Sequence, residues 1–244
     1  MIEEHQLIPY QLAELPLGPW LVFAPHADDE TFGMGGALLR AADAGIKTHI
    51  VVLTDGALGG EKADLVAIRK QEVANVAEFL AVTSLQCWDE PDRGLKITAT
   101  LIDRVKAHIR ELQVASVFFP APFEPHPDHR SASQLVWQSL AQLYKADPMS
   151  CPAPLSYEIS VQSPINRLLD ITQVMSRKEQ AMALYNSQNS ENNYPQLVKA
   201  LNKARTFSLN DTVSYAEGFY AYNKTALANS LEATTKAAMQ LYWQ

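Results

Sequence analysis

Cysteine, long apolar runs and positive charge are all scarce in this chain, and each shortage excludes something. Only two cysteines, Cys87 and Cys151, stand among 244 residues, in no metal-type spacing. A disulfide framework is thereby unexpected, and a reducing, cytoplasmic setting is the default expectation. No apolar run approaches the about 18 residues that a bilayer span requires. The N-terminal "MIEEHQLIPYQLAELPLGPW", acidic and broken by prolines, does not resemble a secretory signal. A soluble protein with no membrane span is expected. Lys and Arg total 20 against 27 Asp and Glu, for a formal net charge of −7. That balance provides no basic footprint for nucleic acid and no pull toward anionic lipid. Repeats and low-complexity linkers are absent too, so the 47% hydrophobic content is expected to fill the core of one large α/β domain or two small ones.

What is present is an alternation of strand and helix patterns. Trp20 to Pro25 is a short apolar run ended by proline, as a buried parallel strand would be. Thr31 to Ala44 reads as a helix stopped at Gly45. "THIVVLT" (48–54) is β-branched and runs into the turn signal "DG". Leu65, Ile68, Val73, Val76 and Leu80 mark a helix by their three-to-four spacing, as do Leu101, Val105, Ile109 and Leu112. "SLQCW", "ASVFFP" and "LSYEIS" read as further strands, and Leu135 to Tyr144 as a helix. Strands alternating with helices of this length predict a mostly parallel sheet with helices on both faces. The last third departs from this pattern. "VMSRKEQAMALYNSQ", "PQLVKALNKARTF" and a segment from about Lys224 read as helices, giving a mainly helical extension packed on the core. One domain over 1–244 is expected, with its α/β core at about 18–160 and the extension at about 161–244.

In open α/β sheets ligands bind beyond the carboxyl ends of the strands. Two clusters fall there: Pro25-His26-Ala27-Asp28-Asp29-Glu30 and Pro125-His126-Pro127-Asp128-His129. Three of the six histidines lie in these loops, with His26 and His126 100 positions apart, so a shared ligand is the economical reading. A catalytic metal centre typically has three protein ligands and an open position. His26 and Asp29, three apart at a strand-to-helix turn, supply two; either His126 or His129 supplies the third. Asp28, beside a ligand but free, is then available as the base for a metal-activated water. Plainer readings exist for each cluster alone. Asp28 and Asp29 would suit a helix N-terminus, and "HPDH" a capped turn. Capping accounts for neither the histidines at strand ends nor the surplus of acids on one turn. His5, in an irregular tail, His49, in a strand, and His108, on a polar helix face, are expected to be structural or solvated. The "GMGG" at 33–36 invites a dinucleotide reading, but its glycines come late after the strand and GxGxxG is absent.

The motifs "PHADDE" and "HPDH" resemble the two signatures of the PIG-L/LmbE-like zinc-dependent de-N-acetylases. "LTDGALGG", "AIRKQEVANVAEFLAV", "EPDRGL", "SYEIS", "LLDIT", the "K…A…YNSQ" pattern and "AEGFY" stand in family-like order, from about residue 20 to 222. The resemblance implies a Rossmann-like fold and hydrolysis of an N-acetyl group, usually on a glucosamine unit. It implies that His26, Asp29 and His129 bind zinc and that Asp28 is the general base. By the same resemblance His126 polarises the amide or acts as acid, with Asp128 orienting its ring. Arg69 matches a family arginine that reaches the substrate; a surface helix residue paired with acids is the alternative. Asp92 would accept sugar hydroxyls, though a loop aspartate is also a turn former. Glu30 is expected to brace the turn or cap the helix. His₂Asp suits Zn²⁺ and tolerates Fe²⁺, Mn²⁺ or Co²⁺. The expected partner is a small amino sugar or glycoconjugate. The alternatives are a metal-dependent amidase or esterase on a non-sugar substrate, and a sugar-binding module without chemistry.

Overall fold

The computed structural model describes residues 3–60 and 64–243. β1 (Trp20–Ala24), β2 (Thr48–Thr54), β3 (Ser84–Glu90), β4 (Ser116–Pro120) and β5 (Ala153–Tyr157) form the parallel part of one sheet. Between them run α1 (Asp29–Asp43), α2 (Leu65–Phe79), α3 (Ala99–Leu112) and α4 (Pro127–Ala146). β6 (Arg167–Asp170) follows, then α5 (Met175–Ala183), α6 (Asn186–Asn189), α7 (Tyr194–Ala204), β7 (Ala216–Ala221) and α8 (Leu231–Gln240). The strand order is β3-β2-β1-β4-β5-β7-β6, with β7 antiparallel to both of its neighbours. The extension expected to be mainly helical therefore also supplies two strands to the sheet.

Every residue of β1, β2 and β4 is buried, as strands covered on both faces require. Alternation sorts their side chains into two cores. Trp20, Val22, Ile50, Val52 and Phe118 join α1, α2 and α5 on one face. Leu21, Phe23, Val51, Leu53, Val117 and Phe119 join α3 and α4 on the other. α1 stops before Gly45, whose φ of +70° is the left-handed turn expected there. α4 begins eight residues earlier than its apolar spacing suggested, at Pro127, so "HPDH" is its first turn.

Two departures from the sequence reading have physical causes. β6 has only four residues, and β7 carries a glutamate inside (Glu217) beside Gly218, so neither shows the apolar run that marks a strand. His108 is not on a polar face: it is 7% exposed and packs edge-on against Trp88 with ring centroids 6.0 Å apart. No helix among the described residues is long and apolar enough to cross a membrane.

Candidate functional site

β1 pairs with β2 on one side and β4 on the other, so strand order reverses between β1 and β4. Their register, Trp20 opposite Ser116 and Val22 opposite Phe118, brings the two strands to the same end. The loops leaving them must separate there, which opens the crevice in which α/β folds hold ligands. "PHADDE" leaves β1 and "EPHPDH" leaves β4. That is how residues 100 positions apart come to share one floor.

On that floor the Asp29 carboxylate lies between two imidazoles. Its Oδ2 is 3.1 Å from His26 Nδ1 and 3.2 Å from His129 Nε2. Asp29 Oδ2 also accepts the His26 backbone N–H at 2.9 Å. Behind each imidazole stands another carboxylate. His26 Nε2 faces Asp128 Oδ2 and Asp92 Oδ1, both at 3.3 Å. His129 Nδ1 faces Glu124 Oε2 at 3.6 Å, beyond hydrogen-bond reach, and has no hydrogen-bond partner. Carboxylates behind imidazoles fix which ring nitrogen keeps the proton and leave the other lone pair for a cation. His26, His126 and His129 also bring one donor atom each within 4.8 Å of one another, as do His26, Asp92, His126 and Asp128. Asp29, Asp92, Glu124 and Asp128 thus crowd the two imidazoles, while the buried guanidinium of Arg69 faces Asp28. Such a donor set fits a divalent cation, whose binding to Asp29 and the two histidines would release protons.

Electrostatics follow from this crowding. Burial favours the neutral form of Asp29, but His129 and His26 overcome it and hold its carboxyl well below the usual range. Burial likewise disfavours a charged His129, yet Asp29 and Glu124 hold it up at about 9. Burial pushes Asp28 up to about 8, with Arg69 opposing and Asp29 adding. Burial, with His26 and His129 adding, takes His126 down to about 4. His126 Nδ1 accepts the Asp128 backbone N–H at 3.2 Å, so in its neutral form the ring carries its proton on Nε2.

Asp28 is held in a backbone conformation that a non-glycine residue seldom adopts, φ 133° and ψ −30°. Such strain persists only where the surroundings over-determine it. Here Glu30 Oε2 accepts the Asp28 N–H at 3.2 Å, and Arg69 Nη2 donates to the Ala27 carbonyl at 3.0 Å while facing Asp28 Oδ2 at 3.4 Å. Asp28 makes no side-chain cap to α1, so helix capping does not explain it. Glu30 is fully buried and braces the turn, with Thr31 Oγ1 donating to it at 2.6 Å and the Tyr185 hydroxyl bonding it from the extension.

Three expectations change in the structure. Arg69 is 4% exposed, which excludes a surface helix residue; it lies beneath the Asp28 turn and against the cavity. Asp92 reaches the cavity, where its Oδ2 accepts the Leu58 N–H at 2.9 Å and its Oδ1 faces His26 at 3.3 Å, so it also ties the metal turn to the neighbouring loop. Asp128 does not orient the His126 ring with its carboxylate. That carboxylate accepts the N–H groups of Arg93 at 2.6 Å and Leu95 at 3.2 Å and faces His26. Glu124 is a component that sequence reasoning missed. It is fully buried, accepts the N–H groups of Ile159 at 2.8 Å and Ser160 at 3.0 Å, and stands behind His129. Its place two residues before "HPDH" was the available signal.

A cavity of about 460 Å³ opens over this floor, with Gln188, Asn192 and Tyr194 of the extension along one rim. Tyr194 stacks on Phe32, ring centroids 5.7 Å apart at 30°. Fold and site together define an α/β enzyme with a histidine–carboxylate centre at the switch point of its sheet. Residues 21–140 match the PIG-L family, GlcNAc-PI de-N-acetylase. A diacetylchitobiose deacetylase of Thermococcus kodakarensis is 30% identical over 185 residues, covering 69% of each chain. The chain belongs to the PIG-L family of de-N-acetylases. Among solved structures, an N,N'-diacetylchitobiose deacetylase from Pyrococcus horikoshii superposes with TM-score 0.76 at 24% identity, over 87% of this chain and 86% of that one. A 4-carboxy-2-hydroxymuconate hydratase from Pseudomonas putida KT2440 reaches 0.71 at 23% identity, over 83% and 95%. The fold alone thus accommodates more than one chemistry.

Proposed function

We propose that this protein is a metal-dependent de-N-acetylase that removes the N-acetyl group from an N-acetylglucosamine unit, free or conjugated, releasing acetate and an amine. The observation that carries this reading is the Asp29 carboxylate poised between His26 Nδ1 and His129 Nε2, with Asp28 uncoupled from capping beside it. His26, Asp29 and His129 hold the cation, Zn²⁺ by the chemistry of the set, with Fe²⁺, Mn²⁺ and Co²⁺ as alternatives. When bound, a divalent cation supplies a nucleophilic water at neutral pH and polarises the amide carbonyl.

This chain's own residues do the rest. Asp28 takes a proton from the attacking water and returns it to the nitrogen as the C–N bond breaks. His126, protonated on Nε2, donates to the oxygen that gains charge when water adds to the carbonyl. Asp128 holds His26 through Nε2, Glu124 stands behind His129, and Arg69 holds the Asp28 turn. Gln188, Asn192 and Tyr194 face the sugar. The core and the extension act as one domain, supported by β6 and β7 completing the sheet. Free Cys87 and Cys151 support a cytoplasmic setting.

The deciding experiment measures acetate release from N-acetylglucosamine, its β-linked dimer and its conjugates, with chelator and with zinc restored. Chelator-sensitive release is expected. Zinc-loaded protein that leaves every N-acetylhexosamine intact while cleaving esters or non-sugar amides would overturn this function.

A further inference from the structure

The "GMGG" segment is where α1 breaks. Met34 has non-helical angles, φ −143° and ψ 25°, which split a short first segment carrying Asp29 and Glu30 from the rest of the helix. In an unbroken helix the Phe32 carbonyl and the Gly36 N–H would be partners, four residues apart. Here an ion pair stands between them. Lys178 Nζ donates to the Phe32 carbonyl at 2.9 Å, and Glu217 Oε1 accepts the Gly36 N–H at 2.8 Å. Lys178 and Glu217 meet each other at 2.7 Å. Glu217 Oε2 also accepts the Ala37 N–H at 2.7 Å, and Asn202 Oδ1 takes another Lys178 proton at 2.9 Å. Both charged side chains are 0% exposed. Only glycine admits Glu217 this closely, since a Cβ on residue 36 would fall 2.9 Å from its Oε1 and 2.5 Å from Ile171.

The structure assigns Lys178 and Glu217 as positioning residues: a buried ion pair that caps both sides of the α1 break and so aims the Asp28–Asp29 turn at its cation. Three considerations support this. Isolated charges are not kept in a dry interior unless paired and hydrogen-bonded, and this pair spends its remaining capacity on backbone groups that the break leaves unpartnered. The first segment of α1 is too short to hold its own orientation, because helix hydrogen bonding begins only after the first turn. Finally, Lys178 on α5, Asn202 on α7 and Glu217 on β7 come from three separate elements of the extension and converge on one break in α1. The extension thus reaches through the fold to the back of the metal turn.

The inference rests on the proposed metal site, so its test reads zinc affinity by chelator competition, not activity alone. Lys178→Met leaves Glu217 charged and unpaired; zinc affinity is expected to fall at least about tenfold, the range found for groups that orient metal ligands. Adding Glu217→Gln removes the stranded charge and should recover part of that loss, a coupling that independent structural defects would not show. Leu140→Ala, in the core of α4 away from the break, serves as a stability-matched control and should keep wild-type zinc affinity within about threefold, the scatter normal for distant sites. If Lys178→Met does not fold, Asn202→Ala and the double variant carry the same comparison. Unchanged zinc affinity in the folded variants, or an equal loss in Leu140→Ala, overturns the inference. Failure of wild-type protein to bind stoichiometric zinc would overturn the proposed function instead. The capping role would then stand or fall on hydrogen exchange at the Gly36 and Ala37 amides, expected to quicken in Glu217→Gln.

Discussion

The loop after β1 enters its helix through a strained residue, whereas the loop after β4 is an ordinary helix start. In the first, Asp28 sits at φ 133° and depends on others: Glu30 for its N–H, Arg69 from α2, Tyr185 bonding Glu30, and the Lys178–Glu217 pair behind the α1 break. In the second, His126 accepts its own helix's N–H, Pro127 opens the first turn, and His129 follows on that turn. Both loops are braced by neighbours, but only the second also caps its own helix with an unstrained backbone. The acids explain the difference. Burying Asp28, Asp29 and Glu30 side by side, with Asp28 at a positive φ, requires partners that the surrounding fold supplies. A histidine pair three apart on a capped helix requires no positive φ.

Substitutions can break or sharpen that contrast. The largest effect is expected from His129→Ala, which removes a cation ligand from the self-capped loop. Elemental analysis should show metal lost, while circular dichroism shows α4 intact because its cap remains. Loss of the helix together with the metal would mean the cap alone does not hold the loop. Next comes Asp28→Asn, expected to lower kcat by about 10²–10⁴ with metal still bound, the range for a removed general base. Near-native turnover would reassign the base. Glu30→Gln touches neither metal nor substrate, yet should weaken zinc binding about tenfold or more, because a group orienting the ligand turn is lost. Unchanged zinc affinity would show that the Asp28–Asp29 turn does not depend on Glu30. The smallest effect belongs to Pro127→Ala, where thermal unfolding should report a loss of under about 1 kcal/mol and activity should persist. A large loss there would erase the distinction between the loops.

Much of this site is legible in residue order. An apolar run broken by proline and followed by histidine and acids announces a strand end, and the same pattern recurs at "FFPAPFEPHPDH". The parallel half of the sheet is equally visible, since strands buried on both faces must be continuously apolar. β6 and β7 are not visible, because antiparallel strands of four and six residues gain their pairing from the strands beside them. Asp128 also departs from expectation. The resemblance implied that it orients the His126 ring, but the backbone N–H groups of Arg93 and Leu95 turn its carboxylate toward His26. Glu217 and Lys178 carry no sequence signal of a shared role, since their partnership exists only once α5, α7 and β7 pack against α1.

The order of residues by itself determined which groups are available and at which strand ends they emerge, because local spacing and burial patterns are properties of the chain. Tertiary structure alone decided what those groups face. Whether a carboxylate backs an imidazole, receives a guanidinium or caps a broken helix depends on distances across the sheet. In a buried, water-poor site those distances set the charge state and orientation of every reacting group.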